Sequence, residues 1–506
     1  MLSKLRIQSF KSWRDTGEIH FAPLTGFWGP NSSGKSSIIQ FLLLLKQTDE
    51  AMDSSQVLNL GSEQASYVDF GRFSENLFKT SDTPNLTFEF EIDWTPTRLE
   101  YLHLRRVPSA TERVLNEKAT PYTAANHNQR SLIQMMAQLR LVDESLILER
   151  LRFSFEDTVS IHTDLQWQGL SENDAGYGYR FDYQYQTDDG SVHSDSYDVT
   201  LSSMNLFSIM LWELKRAPWN RRTWSDLVNE SQREASTVAI EKMQAIQRSL
   251  SILMNKISYL GPLREHPSRL YLWRGGRVGK IGIKGEQAIQ ALLSADITNG
   301  RNGSCSYQAM QQVASWLQQI GLIDRFEIRP IAEGRREHEV VVHQTSTSPP
   351  VLLTNVGFGV SQVLPVLALC ALADEGSILI LEQPEIHLHP AVQAGLADLL
   401  IDVIKNRNIQ IILESHSEHL LTRLQRRIAE ETLTPDNVAL YFTHIEDGES
   451  KLEELQIDQY GNISNWPQDF FGDIMGDVVA MTEAAMHRQA SQSKPAMRPA
   501  NGTVDA

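Results

Sequence analysis

At 506 residues the chain is too long for one compact core, and at about one domain per 150 residues it should hold more than one. Its 46 Lys and Arg against 63 Asp and Glu give a formal charge of −17, so any binding to nucleic acid must use a local basic face, while 41% hydrophobic content suits globular packing. The two cysteines, Cys305 and Cys370, lie in unlike contexts without metal-ligand spacing, which excludes a disulfide framework and a zinc ribbon and fits a reduced, cytoplasmic setting.

The opening MLSKLRIQSFKSW enters a strand-like alternation at once and lacks the apolar core of a signal peptide. The longest apolar stretch elsewhere, Val363 to Ala373, is too short to span a bilayer, so no membrane association is expected. Residues 4 to 22 read as two strands, KLRIQSF and EIHFA, around a turn at Asp15-Thr16-Gly17. Lys11 and Trp13 close the first strand, within reach of a nucleotide if the strands flank the loop that follows.

That loop is Gly29-Pro30-Asn31-Ser32-Ser33-Gly34-Lys35-Ser36, a full match to G-x-x-x-x-G-K-[ST]. Gly29 and Gly34 can take backbone angles that a side chain forbids, so successive N–H groups turn inward and, with the positive end of the next helix, hold phosphate oxygens. Lys35 adds a point charge for the β and γ phosphates, and Ser36 offers a hydroxyl to Mg²⁺. A short apolar strand, Thr25 to Trp28, precedes the loop and an apolar helix, Ser37 to Lys46, follows it, as the motif requires. Asn31, Ser32, Ser33, Gly34, Lys35, Ser36 and Ser37 are therefore candidate contacts to ATP.

Beyond a polar stretch, Tyr67-Val68-Asp69-Phe70 and Leu86 to Ile92 read as strands, and Gln64 is a candidate contact to Mg²⁺. From about 95 to 345 the marks of an ATP site disappear. Leu146 to Leu201 suits an antiparallel sheet with one wet face, and Ser225 to Ile257 is helical without the sustained heptads of a long coiled coil. Lys215, Arg216, Arg221 and Arg222 interleave with Trp219 and Trp224, and Arg269 to Lys284 repeats that mixture. Cations beside stacking rings suit nucleic acid, a protein interface or plain solvated surface.

Residues 307 to 322 read as a helix, and Phe326 to Arg329 and Glu339 to His343 as strands. Residues 355 to 373, NVGFGVSQVLPVLALCALA, turn from a glycine-bearing loop into an apolar helix, a second anion-binding N-terminus with Gly357, Gly359 and Ser361 as candidates. A nucleophile elbow fails there, because Gly359-Val360-Ser361-Gln362-Val363 lacks the closing glycine. Ser377 to Glu382 is a buried parallel-type strand ending in an acid that can hold the Mg²⁺ water shell, and Glu385 is a second carboxylate nearby. Asn408 to Leu413 is another such strand, followed by Glu414-Ser415-His416-Ser417, where His416 can hydrogen-bond a γ phosphate. His387, His389, His416 and His419 have no clean H-x-x-x-H pair for a metal centre.

With these pieces in order, the sequence resembles the ATP-binding-cassette class of ATPases in its RecF, SMC and OLD branch. The carriers are KLRIQSFKSW, GPNSSGKSS, NVGFGVSQVLPVL, SILILEQPEIHLHP and IILESHSEHLL. It looks most like a bacterial subgroup of AAA-type, anti-phage defence ATPases with GFGVSQVLPVL, EQPEIHLHP, ISYLGPLREHPSRLY and a C-terminal D-x-x-G-x-x-x-x-WP-x-x-FF element from Asp458 to Phe471. The resemblance implies an α/β fold: a P-loop NTPase head of ABC type, split between an N-terminal lobe (1–95) and a C-terminal lobe (346–475). A mixed α+β insertion (96–345), strand-rich then helical and without a long coiled coil, would separate them, and the end of a C-terminal helix with a disordered tail (476–506) would follow. Two heads would then sandwich two ATP molecules, with Lys35 and Ser36 acting in cis and Gly357, Gly359 and Ser361 in trans, in a homodimer or higher even oligomer. His416 would be the switch histidine and Glu382 the Mg²⁺ carboxylate.

The position after Glu382, usually a water-activating glutamate, is Gln383. An amide can position water but cannot accept its proton, so general-base catalysis worth about 10²- to 10⁴-fold should be lost or moved to Glu385. The resemblance thus points to a slow ATPase that senses or regulates a separate nuclease or toxin effector. A RecF-like DNA-repair ATPase and a non-hydrolysing scaffold with bound ATP remain alternatives.

Overall fold

The computed structural model describes residues 1–51, 56–61, 66–78, 85–94, 131–142, 145–156, 160–170, 177–186, 192–201, 206–207, 246–276, 278–295, 305–467, 470, 479–486 and 488. Gln64, Lys215, Arg216, Arg221, Arg222 and the tail beyond 488 lie outside them. The chain divides into a unit from Met1 to Ser464 and a smaller one from Asn465 to Ala506. In the smaller unit the rings of Trp466 and Phe470 pack 5.0 Å apart, and residues 479–486 are helical.

The fold is α/β, a P-loop NTPase head assembled from both ends of the chain. Its centre is a six-stranded sheet in the order β11 (Ile257–Leu260), β16 (Ile378–Glu382), β17 (Gln410–Glu414), β4 (Leu24–Trp28), β18 (Val438–Glu446), β19 (Glu449–Glu454). All pairings are parallel except the last. Every residue of β4, β16 and β17 is buried, which accounts for their continuous apolar runs, ILILE and QIILE, in place of alternation. The connections carry helices: α1 (Lys35–Glu50) after β4, α4 (Phe358–Leu372) before β16, α5 (Pro390–Arg407) and α6 (Glu418–Ala429) on either side of β17. Two shorter-range helices, α2 (Ala288–Ala295) and α3 (Cys305–Gln319), precede α4. Sequence sets the ends of α6: Ser417 accepts from the Leu420 amide at 3.0 Å, Glu418 lies in the positive first turn, and Arg426 and Arg427 lie in the last.

A nine-stranded antiparallel sheet covers one side of α1. Its main path runs β10 (Val192–Leu201), β9 (Tyr177–Gln186), β8 (Ser160–Leu170), β7 (Ser145–Glu156), β6 (Ser131–Val142), β5 (Asn85–Trp94), β1 (Leu2–Phe10), β2 (Trp13–Asp15), with β3 (Ile19–His20) also on β1. The sheet crosses residue 95, so β6 to β10 extend the strands of the N-terminal segment. Alternation puts Leu5, Ile7, Phe88, Phe90 and Phe153 in the core, where Phe41 of α1 meets Phe88 edge-on at 5.0 Å. Ion pairs such as Arg6 with Asp15 and Arg150 with Asp164 lace the opposite, wetter face. A four-stranded sheet completes the fold: β12 (Tyr271–Leu272), β14 (Glu337–His343) and β13 (Arg325–Pro330), with β15 (Val351–Leu352) on β14.

Buried Gln410 ties the two large sheets together: its Oε1 accepts from the Leu2 amide at 2.9 Å, and its Nε2 donates to the carbonyls of Leu2 (2.8 Å) and Ala22 (3.2 Å). The strand expected at Tyr67 to Phe70 does not form. The Gln47 side-chain oxygen takes the amides of Tyr67 and Val68 (3.1 and 3.2 Å), and the Phe70 amide bonds the Leu60 carbonyl, so those donors are spent on a loop folded over α1. Among the described residues, no helix is long and apolar enough to cross a membrane.

Lys46 is 1% exposed and anchors the far end of α1. Its ammonium donates to the Met254 carbonyl at 2.8 Å and pairs with Glu50 at 3.0 Å, while Lys280 reaches the same Glu50 oxygen at 2.8 Å. Lys46→Ala removes a buried charge together with the partner of a buried carbonyl, and is expected to lower unfolding free energy by about 3 kcal/mol. Denaturant titration checks this, and a midpoint unchanged from wild type contradicts it.

Candidate nucleotide-binding site

Strand β4 delivers the chain into a loop whose backbone is bent at three points: Gly29 (φ 138°), Ser32 (φ 62°) and Gly34 (φ 103°). The glycines are required by space as well as by angle. A Cβ on Gly29 would sit 2.1 Å from the Thr443 carbonyl oxygen, and one on Gly34 would sit 2.6 Å from Ser450 Oγ and 2.8 Å from Trp13 Nε1. Two contacts brace the turn from outside, Trp13 Nε1 donating to the Gly34 carbonyl at 3.1 Å and Ser33 Oγ sharing a 2.5 Å hydrogen bond with Thr443 Oγ1. Helix α1 then starts with no side-chain cap and no acidic residue in its first turn, leaving a positive helix end at the loop.

The loop encloses a cavity of about 230 Å³ lined by Ser12, Asn31 to Ser37, Gln383, Glu414 and His416. Lys35 Nζ donates to the carbonyls of Gly29 (3.0 Å) and Pro30 (2.7 Å), and burial lowers its pKa while Glu414 opposes that shift. Ser36 Oγ donates to Glu414 Oε2 at 2.7 Å. Gln383, at φ 44°, donates its backbone N–H to the Glu414 backbone carbonyl at 2.8 Å. These residues fit a triphosphate with its Mg²⁺: amides at a helix N-terminus and a lysine suit the phosphates, and a hydroxyl beside a carboxylate is an oxygen donor set for a hard cation.

Of the residues singled out from sequence, Asn31, Ser32, Ser33, Gly34, Lys35, Ser36, Ser37, Gln383 and His416 come together at this cavity. Lys11 does not. Its Nζ is held by Gln40 Oε1 at 2.5 Å and lies 4.6 Å over the Phe70 ring, and its neighbour Ser12 takes the place at the cavity. Glu382 also stands outside the lining: Tyr259 donates its hydroxyl to Oε1 at 2.9 Å, and buried Arg264 donates to the Glu382 backbone carbonyl at 3.1 Å. Burial, with the neighbouring Glu414 charge, pushes the Glu382 carboxyl up to about 7; burial pulls the Arg264 guanidinium down to about 10. Glu385 lies deeper. Its Oε1 accepts from Ser415 Oγ (2.7 Å) and the His416 amide (2.8 Å), Oε2 is buried without a partner, and burial raises its pKa. Burial and the Lys35 charge lower the pKa of His416 and favour its neutral ring.

The second glycine loop is elsewhere. Ser361 Oγ turns back to the Phe358 carbonyl at 2.8 Å, Gly359 packs against the His387 carbonyl, and Phe358 lies 43% exposed between His266 and His387 at 5.4 and 5.1 Å. Gly357, Gly359 and Ser361 therefore take no part in lining the P-loop cavity. Glu414 and Ser12 are additional members of the lining, Thr443 braces the loop beside Trp13, and Tyr259 and Arg264 hold Glu382 outside it. An acid closing the strand beside β4 was the available sign for Glu414, but strand order, which motif spacing does not carry, decides that β17 and not β16 is that neighbour.

Three family profiles match the chain. Residues 1–186 match "AAA ATPase domain", residues 308–422 match "AAA domain, putative AbiEii toxin, Type IV TA system", and residues 433–481 match "Protein of unknown function (DUF3696)". A comparison with curated proteins finds no match. Solved structures that match include an SMC head bound to the C-winged helix domain of ScpA, at 12% identity, over 90% of this chain and 98% of that one, with a TM-score of 0.38. The SMC head domain from Thermotoga maritima matches at 12% identity over 90% and 99%, TM-score 0.38. An SMC head with an extended coiled coil, bound to the C-terminal domain of ScpA and derived from Pyrococcus furiosus, matches at 12% over 96% and 99%, TM-score 0.36. The two AAA profiles place an ATPase domain on both segments that build the cavity.

Gly34→Ala adds a methyl where the backbone is left-handed and the space is taken by Ser450 and Trp13. Equilibrium titration with a fluorescent ATP analogue should show at least about a tenfold loss of affinity, the cost of roughly 1.4 kcal/mol of strain at a binding loop. Affinity equal to wild type contradicts the assignment of this loop.

Proposed function

We propose that the chain is a slowly hydrolysing ABC-type ATPase whose heads pair around ATP, and that it acts as sensor or regulator of a separate effector in bacterial anti-phage defence. The observation that carries this reading is the one-sided cavity. Its lining holds the P-loop, Gln383, Glu414 and His416 and no residue of the Gly357 to Ser361 loop, whose Phe358 is exposed. A second copy would supply that loop to the open side, so ATP would complete the contact.

Bound MgATP supplies the phosphoanhydride bond and the cation that offsets phosphate charge. Lys35 would hold the β and γ oxygens, the loop amides would orient them, and neutral His416 would stand at the γ end. Gln383 can hold a water molecule through its amide but takes no proton from it. Glu385 does not replace the missing base in this reading: it lies outside the cavity lining, and its Oε1 accepts from Ser415 and the His416 amide as the brace of the histidine turn. Slow turnover follows, and with it a long-lived closed state suited to a latch. The toxin–antitoxin description of one matching family supports the defence setting.

From a typical turnover near 10 s⁻¹, loss of the general base predicts roughly 10⁻³ to 10⁻¹ s⁻¹. Native mass measurement should show dimer with MgATP and not without, and Phe358→Arg, at the exposed residue of the second loop, should abolish the dimer while leaving ATP binding to the isolated head intact. Copurification with neighbouring gene products should bring down a stoichiometric effector. Fast turnover, or turnover strongly stimulated by DNA with no effector retained, overturns this reading in favour of a repair ATPase.

A further inference from the structure

Four exposed arginines at one end of the four-stranded sheet have no carboxylate partner among the described residues. Arg269 and Arg274 flank β12, and Arg335 and Arg336 lie in the turn between β13 and β14. The wet face of the nine-stranded sheet is different: Arg6, Arg150, Arg152 and Arg180 are each paired there with an aspartate. Register brings strand and turn together. Leu272 stands opposite Glu337, the Trp273 amide bonds the Arg336 carbonyl at 3.0 Å, and the Ile331 amide bonds the Glu337 carbonyl at 3.0 Å. Leu272, Glu337 and Ile331 thus form one row across three strands, with Leu270 two residues before Leu272 on the same side. All three aliphatic side chains are open to solvent, at 51% for Leu270, 46% for Leu272 and 44% for Ile331. Glu333 and Glu337 share this sheet end, which still leaves positive charge in surplus in a chain of net −17.

Rings beside cations suggested base stacking, but these rings turn inward. Tyr271 is 9% exposed and its hydroxyl accepts from the Ser268 amide at 3.0 Å; the Trp273 ring packs 6.2 Å from that of His338, with its Nε1 buried. Leucine, isoleucine and guanidinium face solvent, which gives bases no platform, and a phosphate backbone would leave the aliphatic side chains uncovered. A protein segment that carries both acids and apolar side chains covers both kinds of group. The surface is also continuous with the ATP machinery. A few residues upstream, Arg264 holds the Glu382 carbonyl at 3.1 Å and the His266 ring lies 5.4 Å from Phe358.

We propose that this sheet end is the docking surface for the separate effector, and that the effector presents to it an acidic segment with interspersed apolar side chains; this rests on the regulator reading above. The carboxylates pair with the free guanidinium groups, and the apolar side chains cover Leu270, Leu272 and Ile331.

The test is coexpression of the full chain with each neighbouring gene product and measurement of the affinity of the purified pair, alongside fluorescence anisotropy with labelled single-stranded and duplex oligonucleotides. Leu272→Glu with Arg274→Glu should weaken the effector complex by at least about tenfold, and Arg335→Glu with Arg336→Glu by a similar factor. Pairing of heads with MgATP should persist in both, and Arg180→Glu, an exposed arginine of the other sheet, should leave effector affinity unchanged. If the β12 variant fails to fold, the turn variant decides, since both its substitutions lie in an exposed turn. Full effector affinity in either folded variant overturns the proposal alone. Oligonucleotide binding that these variants abolish also overturns it, because the surface then serves nucleic acid. Wild type that retains no effector overturns the regulator reading as well.

Discussion

The parallel register of the central sheet is the constraint on which the site depends. Pairing Glu414 with Phe27 and Glu382 with Glu414 brings the carboxyl ends of three strands to one edge. On the other side of β4, Phe442 pairs with Trp28, which sets Thr443 against the first turn of the loop. A C-terminal strand thereby shapes an N-terminal loop: the Thr443 carbonyl occupies the space where any side chain on residue 29 would go. The phosphate cradle is a property of the sheet as much as of its own eight residues.

Much of this was readable in sequence because motif and strand carry local signals. G-x-x-x-x-G-K-S, the unbroken apolar runs before Glu382 and Glu414, and the glycine loop before α4 each specify conformation through neighbours a few residues away. Lateral order was not readable, since a buried parallel strand looks alike wherever it sits in the sheet. Lys11 was placed by nearness in sequence and went instead to Gln40 and Phe70, because its left-handed backbone (φ 53°) turns the side chain toward α1. Tyr67 to Phe70 had a strand's composition, yet a single glutamine side chain took the amides that a ladder would need. The aromatic and arginine partners of Glu382 come from residues 259 and 264, more than a hundred positions away, and no local pattern announces them.

Three carboxylates crowd a site in a molecule that is already acidic, so like-charge repulsion and burial both work against it. Each acid has donors that offset part of that cost: Ser36 for Glu414, Tyr259 for Glu382, Ser415 and the His416 amide for Glu385. Arg264 sits among them with two of its three nitrogens lacking a partner, a cation kept in place by its surroundings more than by pairing. Its segment continues to Lys280, which pairs with Glu50 at the other end of α1. One stretch of chain is thus fastened both to the turn after β16 and to the helix that begins at the phosphate loop.

Strand β4 finds both its partners in β17 and β18, which begin at residues 410 and 438. On a ribosome this means that the phosphate loop is made early and completed last. At ordinary rates of synthesis, roughly 20 to 80 s separate the appearance of β4 from that of β18, and through that interval a strand of five core residues has no sheet to enter. The ATPase head is therefore a structure that cannot close until β18 has been made, and a message cut short between the phosphate loop and β18 yields a chain with a complete phosphate-loop motif and no site.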